Sequence, residues 1–159
     1  MTREREVVVL ADGDGTVIQG PAGGPLTFKA RGTQTGGALT AFVNVIGPGD
    51  GPPLHRHERE GEAWYVIEGS LRFKLGDELH EAATGTFVFV PPGVAHCFQN
   101  AGEDAARILV LFTPAGMEAF FDRFAELPPG PVDPGVFASL GSEAGMEVLG
   151  PPLAVSDPL

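Results

Sequence analysis

Short runs of apolar residues, each closed by glycine or proline, recur through most of this 159-residue chain. Several of the runs alternate apolar and polar residues, which is the pattern of a strand with one buried face. The 23 glycines and 15 prolines stand mostly between the runs, where turns would be. This repeated pattern of short apolar runs and turns predicts an all-β fold of many short strands, either a sandwich or a barrel. We expect the chain to form one domain long enough to bury a core.

The alternation is clearest from Leu71 to Leu75, and Gly76-Asp77 after it predicts a hairpin turn. Phe87 to Val90 is apolar on both faces, so its outer face needs a cover from another element or a second subunit. The predicted strands together comprise residues 39–46, 55–57, 62–67, 71–75, 79–82, 87–90, 96–99 and 106–112.

The chain changes character after its last predicted strand. Thr113-Pro114 predicts a helix cap followed by proline at the first helical position, and Pro128-Pro129 predicts the end of that helix. The apolar residues between them have helical spacing: Met117, Phe120, Phe121, Phe124 and Leu127. Asp133-Pro134 predicts a second short helix. We therefore expect one or two helices in a C-terminal extension over residues 113–145, then a loose or extended tail from Gly150.

Charge and cysteine content limit the partners and the location of the protein. Ten basic and 21 acidic residues give a formal net charge of −11, which opposes binding to nucleic acid or to an anionic membrane. The single cysteine, Cys97, excludes an internal disulfide and fits a reducing compartment. The apolar run Val7–Ala11, after a charged N-terminus, is too short for a signal-peptide core or a bilayer span. We expect a soluble cytoplasmic protein.

Three of the four histidines form a candidate metal site with one glutamate. His55 and His57 are two residues apart, so in a strand their side chains point to the same face. Glu62 follows five residues later, and His96 comes from a distant predicted strand. Three imidazoles and one carboxylate suit a divalent transition metal. A single histidine on a strand is more often a packing or surface residue, so the cluster carries the signal.

The other titratable residues nearby are expected to be ordinary surface groups. Glu58 and Glu60 crowd beside Glu62 in a predicted loop, and we expect both carboxylates to be solvated. His80 stands in the charged stretch Asp77–Glu81, where an exposed imidazole is the expectation.

Glycine, proline and asparagine residues surround the four candidate ligands at fixed spacing. The first group comprises Gly49, His55, His57, Glu62 and Gly69, and the second, after 15 intervening residues, comprises Gly85, Pro91, Gly93, His96 and Asn100. The two groups resemble both signature motifs of the cupin superfamily, in order and with every fixed position filled. The resemblance implies a double-stranded β-helix, or jelly-roll barrel, with one cupin domain over residues 1–159 and a motif core at 39–112.

The resemblance also implies a ligand set. In cupins these positions hold one metal ion per chain, which here would be bound by His55, His57, Glu62 and His96. We expect the first three ligands on adjacent strands of one hairpin and His96 on a neighbouring strand. Neutral imidazoles suit Fe, Mn, Ni, Co, Cu and Zn alike, so the ion is not specified.

Within the superfamily, the segments Pro52–His57 and Glu62–Gly69 and the phenylalanine-rich helix after Pro114 resemble small quercetin-dioxygenase-like cupins. That likeness implies a metal-dependent oxidoreductase that adds dioxygen to an enolisable aromatic substrate, with Glu62 as both ligand and catalytic base. The alternatives are a metal-dependent lyase, isomerase or cyclase without dioxygen, and a non-catalytic module that binds a small ligand. Cupins of this size are commonly dimers, so we expect a homodimer.

Strand parity predicts which side chains line the barrel interior. If Glu62 faces inward, so does Trp64, and if His96 faces inward, so does Phe98, with Cys97 on the opposite face. The candidate substrate-pocket residues are Trp64, Phe73, Phe98, Phe42 and Phe112. An apolar cavity of this kind would suit a hydrophobic or aromatic small molecule. The alternative is that these aromatic rings simply fill a packed core.

Overall fold

The structure is a computed structural model that describes residues 5–159. Residues 1–4, at the start of the charged N-terminus, lie outside the described residues. The strands are β1 (Thr16–Gln19), β2 (Pro25–Ala30), β3 (Thr40–Ile46), β4 (Pro53–His57), β5 (Gly61–Glu68), β6 (Ser70–Leu75), β7 (Glu78–Ala83), β8 (Phe87–Val90), β9 (His96–Asn100), β10 (Ala106–Thr113) and β11 (Met146–Pro152). The helices are α1 (Gly32–Thr35), α2 (Glu118–Ala125), α3 (Pro134–Glu143) and α4 (Leu153–Ser156).

The strands form two antiparallel sheets whose inner faces share one hydrophobic core. The six-stranded sheet has the order β1-β2-β3-β10-β5-β8, and the five-stranded sheet has the order β11-β4-β9-β6-β7. Side chains from both sheets contribute to the core, including Trp64 and Phe112 from the first and Phe73 from the second. The architecture is the expected all-β jelly roll with short C-terminal helices.

The two ends of the chain differ from the sequence-based expectation. Strands β1 and β2 precede the first predicted strand, in a glycine-rich stretch where short strands give little periodic signal. The tail from Gly150, expected to be loose or extended, begins as strand, because β11 continues to Pro152 and pairs with β4; the short helix α4 that follows was not expected. Proline is tolerated in β11 because this strand lies at the edge of its sheet.

The two predicted helices form, but the first begins later than expected. Thr113 is not its cap: it pairs with Gly61 at the end of β10, and the helix begins at Glu118. Sheet pairing therefore outweighs the local capping signal. Asp133 caps α3 as predicted, and its side chain accepts hydrogen bonds from the backbone N–H groups of Gly135 (2.8 Å) and Val136 (3.2 Å). None of the helices in the described part of the chain is long and apolar enough to cross a membrane.

Strand β8 has one buried face and one apolar exposed face. Val88 and Val90 face the core, whereas Phe87 and Phe89 are 63% and 52% exposed. The described elements of this chain leave these two rings uncovered, and a second subunit could cover them. The homodimer stays a prediction.

Glu118 ties α2 to the six-stranded sheet. Its carboxylate accepts hydrogen bonds from the backbone N–H groups of Gly32 (2.8 Å) and Gly116 (2.9 Å) and from the hydroxyl of Thr40. Partial burial raises the pKa of this carboxyl, but the hydrogen bonds outweigh burial and the pKa lies below its ordinary value. The ionised carboxylate therefore stabilises the position of the helix.

We expect Glu118→Gln to lower the free energy of unfolding by about 1–3 kcal/mol at neutral pH, since two backbone donors lose a charged acceptor. A carboxyl whose pKa is lowered by folding stabilises the folded state when the pH is above the ordinary pKa. This stabilisation is lost as the pH falls through the lowered pKa. The difference between wild type and variant should therefore shrink on acidification. Urea unfolding at several pH values measures it. Glu126→Gln, at an exposed site just after the same helix, should change stability by less than about 0.5 kcal/mol.

Candidate metal centre

The four predicted ligands come together inside the barrel. His55 and His57 lie on β4 with side chains on the same face, and His96 on β9 is the direct cross-strand neighbour of His55. Glu62 lies on β5, in the other sheet. All four side chains are buried. The expectation that β4 and β5 form one hairpin is wrong, because residues 58–60 carry the chain from one sheet to the other, and the ligand set therefore draws on both sheets.

The donor atoms of the four residues crowd into a small volume. One ligand atom from each lies within 4.8 Å of all the others. The Oε2 atom of Glu62 is 3.0 Å from Nε2 of His96 and 3.1 Å from Nε2 of His57. The rings of His55 and His96 have centroids 4.5 Å apart. This clustering of donors matches what a single ion needs.

Backbone carbonyls orient two of the three imidazoles. Nδ1 of His55 lies 2.7 Å from the carbonyl oxygen of Pro53, and Nδ1 of His96 lies 2.9 Å from that of Val94. A carbonyl can only accept, so in each neutral ring Nδ1 carries the proton and Nε2 keeps its lone pair. Such partners typically fix the orientation of metal-binding histidines. Nδ1 of His57 has no hydrogen-bond partner among the described residues, and its Nε2, although 3.1 Å from Oε2 of Glu62, is not aligned for a hydrogen bond.

The protonation states of His55 and Glu62 also suit metal binding. Burial lowers the pKa of His55 to about 3, and the neighbouring imidazoles of His96 and His57 add to this effect. Burial raises the pKa of Glu62, but its contacts with His57 and His96 outweigh burial and bring the pKa to about 2. At neutral pH His55 is therefore neutral and Glu62 is ionised, which are the forms that bind a cation.

The donor set contains nitrogen and oxygen but no sulfur. Cys97, next to His96, is not among the grouped ligand atoms, and it lies near the charged side chains of Lys74 and Arg72. Three imidazoles with one carboxylate fit a divalent transition ion and would leave two positions of an octahedral shell free. The buried nitrogens of His57, without a hydrogen-bond partner, are what a ligand residue would show before it meets its ion.

A small cavity, which we call the metal chamber, adjoins the ligands. Its volume is about 40 Å³. Four of the five candidate pocket residues line it: Phe42, Trp64, Phe98 and Phe112. Phe73 does not; it is fully buried behind Trp64 and Phe98, with ring centroids 5.3 and 5.6 Å away. Core packing thus accounts for much of the aromatic cluster.

The C-terminal elements supply chamber walls that were not predicted. They are Phe120 and Phe121 from α2, Phe137 from α3 and Met146 from β11. Helical periodicity placed the first two on an apolar helix face, but a periodic pattern does not say which end of a barrel the helix covers. Asn44 on β3 is a further wall residue that sequence reasoning missed.

The neighbouring titratable groups follow the expectation in two cases and not in the third. Glu58 is exposed, and His80 is about half exposed, with its side chain 49% accessible. Glu60 is only 2% exposed, so the expectation of a solvated carboxylate is wrong. Its carboxylate lies close to Gly116, in the segment that leads to α2. Arg59 lies 3.6 Å from its carboxylate.

Cys97 provides a simple check of the interior of β9. The side chain is 1% exposed, and burial raises the pKa of its thiol to about 11. At pH 8 the thiol is therefore protonated and inaccessible, and only a thiolate reacts quickly. We expect less than about a tenth of one thiol per native chain to react with Ellman's reagent within minutes, and one thiol per chain after unfolding in guanidinium chloride. Complete reaction of the native protein would contradict this placement.

Comparison with known proteins agrees with the architecture. A family model described as "Cupin domain" matches residues 42–112, which include all four candidate ligands. An RmlC-like cupin from Shewanella frigidimarina has a similar structure, with a TM-score of 0.61 and 19% identity, over 74% of this chain and 98% of that one. At this identity the likeness concerns the fold alone.

Curated relatives match the chain over part of its length. Protein SchB of Streptomyces halstedii is 35% identical over 77 residues, which is 47% of this chain and 56% of SchB. Polyketide synthase CurC of Streptomyces cyaneus is 29% identical over 82 residues, which is 50% of this chain and 53% of CurC. The aligned segment thus spans little more than half the length of either relative.

Proposed function

Because the chain belongs to the cupin superfamily, we propose that it is a metal-dependent oxidoreductase that adds dioxygen to an apolar, enolisable aromatic compound. The observation that carries the proposal is the convergence of three buried imidazoles and one buried carboxylate beside a small apolar chamber. A divalent transition metal bound there would supply a Lewis acid and an electron-transfer centre for reaction with dioxygen.

The residues of the chain have distinct parts in this proposal. His55, His57 and His96 hold the ion, and backbone carbonyls keep two of these rings in the required tautomer. Glu62 is the fourth ligand and the candidate base that takes the proton of a substrate hydroxyl. The lowered pKa of Glu62 keeps it ionised but makes it a weak proton acceptor. This supports the ligand role over the base role.

The walls of the metal chamber support an apolar reactant. Three of the four candidate ligands line the chamber: His55, His57 and Glu62. Every other lining residue is uncharged, and seven of them are aromatic. No cationic side chain in the lining could neutralise a phosphate or a carboxylate of a polar substrate. Exclusion of bulk water from such a space strengthens electrostatic interactions at the metal.

Oxygen consumption tests the proposal. Metal-free protein would be loaded in turn with Fe(II), Mn(II), Co(II), Ni(II) and Cu(II), and oxygen uptake followed with the flavonol quercetin as the probe substrate. We expect uptake with at least one ion, and none from protein without metal. Stoichiometric metal binding with no uptake for any ion, across a panel of flavonols and simpler enols, would overturn the dioxygenase proposal.

A second candidate is a metal-dependent lyase, isomerase or cyclase that needs no dioxygen. It is supported by the match to a protein named polyketide synthase CurC. Polyketide chains are enolisable, and they close rings by carbon–carbon bond formation that a Lewis acid can assist. Turnover of a poly-β-ketone under strict anaerobiosis would favour this candidate, and binding without turnover would favour a non-catalytic module.

A further inference from the structure

The metal chamber is too small for the substrate class proposed above. A volume of about 40 Å³ has room for a few atoms, such as water or dioxygen. An engineered cavity that accepts benzene measures about 150 Å³. The bulk of an aromatic substrate must therefore lie outside the chamber in the arrangement seen here.

A large groove adjoins the chamber at one end of the barrel. It has a volume of about 1110 Å³ and lies between the β1–β2 turn (19–23), the connection of α2 to α3 (124–134) and β11. We call it the mouth groove. Its volume reaches the upper end of the range typical of ligand pockets. The groove can therefore hold a polycyclic molecule that the chamber cannot.

The lining of the mouth groove selects against charge. The chain has 31 residues of Asp, Glu, Lys or Arg (10 basic and 21 acidic), yet none of them lines the groove. Gln19 offers the only polar side chain there, and seven of the lining residues are prolines, which lack a backbone N–H. Rigid apolar walls with few hydrogen-bond donors favour a flat, uncharged ligand over a phosphorylated or carboxylated one.

One aromatic ring separates the groove from the chamber. Phe137 and Pro21 are the two residues that line both spaces. The ring of Phe137 packs against Phe120 and Phe124, with centroids 5.6 and 6.0 Å away. Of these two residues, Phe137 is the one whose side chain can rotate, because the side chain of proline is fixed in a ring.

The helix that carries Phe137 has fewer polar side-chain contacts with the barrel than its neighbour. Helix α2 is tied to the barrel by the ion pair of Arg31 with Asp122 (2.8 Å) and by the hydrogen bonds of Glu118. Helix α3 has no side-chain hydrogen bond to either sheet within residues 5–159; Glu143, at its end, pairs with Arg123 of α2. Apolar packing holds α3 in place, so it can shift with little loss of polar contacts.

We propose that the mouth groove binds the body of an uncharged polycyclic aromatic substrate and that Phe137 is the gate through which the reacting end reaches the metal centre. The inference rests on the proposed function for the identity of the reacting end. The groove binding itself is independent of chemistry at the metal. It can therefore be tested on protein that does not turn over.

The binding test uses protein loaded with Zn(II), without oxygen, and isothermal titration with quercetin. Val155 lines the groove and is 67% exposed, so Val155→Asp should fold normally and place a charge beside the ligand. We expect its Kd to rise at least about tenfold, since burial of a charge against an apolar ligand is unfavourable. Val9→Asp, at a site 87% exposed and outside the groove, should stay within about twofold of wild type. Equal Kd values for the two variants would overturn the groove site.

The gate test follows Trp64, the only tryptophan of the chain, by stopped-flow fluorescence. Its ring lies 5.3 Å from that of His96, so quenching reports arrival of the ligand near the metal centre. Phe137→Leu should speed quenching by quercetin at least about fivefold. Phe87→Leu, at a ring that is 63% exposed and lines neither space, should leave the rate within about twofold. An unchanged rate for Phe137→Leu would overturn the gate.

The two sets of results separate the two proposals. Groove binding with no oxygen uptake would contradict the dioxygenase proposal and leave the groove proposal standing. Oxygen uptake with no effect of Val155→Asp on Kd would contradict the groove proposal and leave the dioxygenase proposal standing.

Discussion

Replacing His96 with alanine should leave the purified protein with less than about a tenth of the wild-type content of bound transition metal. The variant loses one of four donors, and its partner Glu62 loses the contact at 3.0 Å that helps to hold the carboxylate in place. Loss of a residue that merely orients a ligand typically costs about 10–100-fold in metal affinity, so loss of a ligand should cost at least about 100-fold. Elemental analysis and Zn(II) titration of the apo-protein measure the effect.

His80→Ala is the matched control for this experiment. His80 is the one histidine outside the cluster. It is about half exposed, and its Nε2 lies 3.3 Å from the carboxylate of Glu78. We expect its metal content and affinity to equal those of the wild type. Equal metal content in the His96→Ala and wild-type proteins, both folded by circular dichroism, would remove His96 from the site.

Replacing Phe73 with alanine should lower the free energy of unfolding by about 3–5 kcal/mol, the usual cost of truncating a fully buried phenylalanine. The ring is 0% exposed and is enclosed by Trp64 and Phe98, so its loss leaves a void that neighbouring strands cannot easily close. Urea unfolding followed by circular dichroism measures the change. The metal bound per folded chain should stay at the wild-type value, because Phe73 does not line the metal chamber.

Phe87→Ala controls for the size of the side chain removed. That ring is 63% exposed on the edge strand β8, so its loss should change stability by less than about 0.5 kcal/mol in a monomer. If Phe73→Ala were as mild as Phe87→Ala, the barrel interior would be loosely filled, and Phe73 would return as a candidate pocket residue.

Local alternation explains why much of the interior was predictable. Successive strand residues point to opposite faces, so residues two apart share a face. In β5, Glu62 and Trp64 therefore both face inward, and in β9 so do His96 and Phe98. The four-ligand cluster was predictable because residue types and their spacing are both read from the sequence. These inferences need only the positions of residues along one strand, or a motif.

The features that were not predictable depend on pairing between distant segments. Strand β11 pairs with β4, the strand of His55 and His57, but its proline-rich sequence has no strand signature of its own. Glu60 is buried close to Gly116, which is distant in the sequence, and no local pattern shows this. The volume of the chamber depends on how α2 and α3 close the barrel. Such long-range packing has no periodic signal in the sequence.

The ligand set draws on both sheets, and this links metal occupancy to the mechanics of the barrel. His55, His57 and His96 belong to one sheet and Glu62 to the other. An ion bound to all four would therefore cross-link the two sheets. Separation of the sheets would then require release of the ion. At a free metal concentration about 1,000 times the Kd, this linkage is worth about 4 kcal/mol. The supply of the ion would then shift the equilibrium between the folded and the unfolded chain.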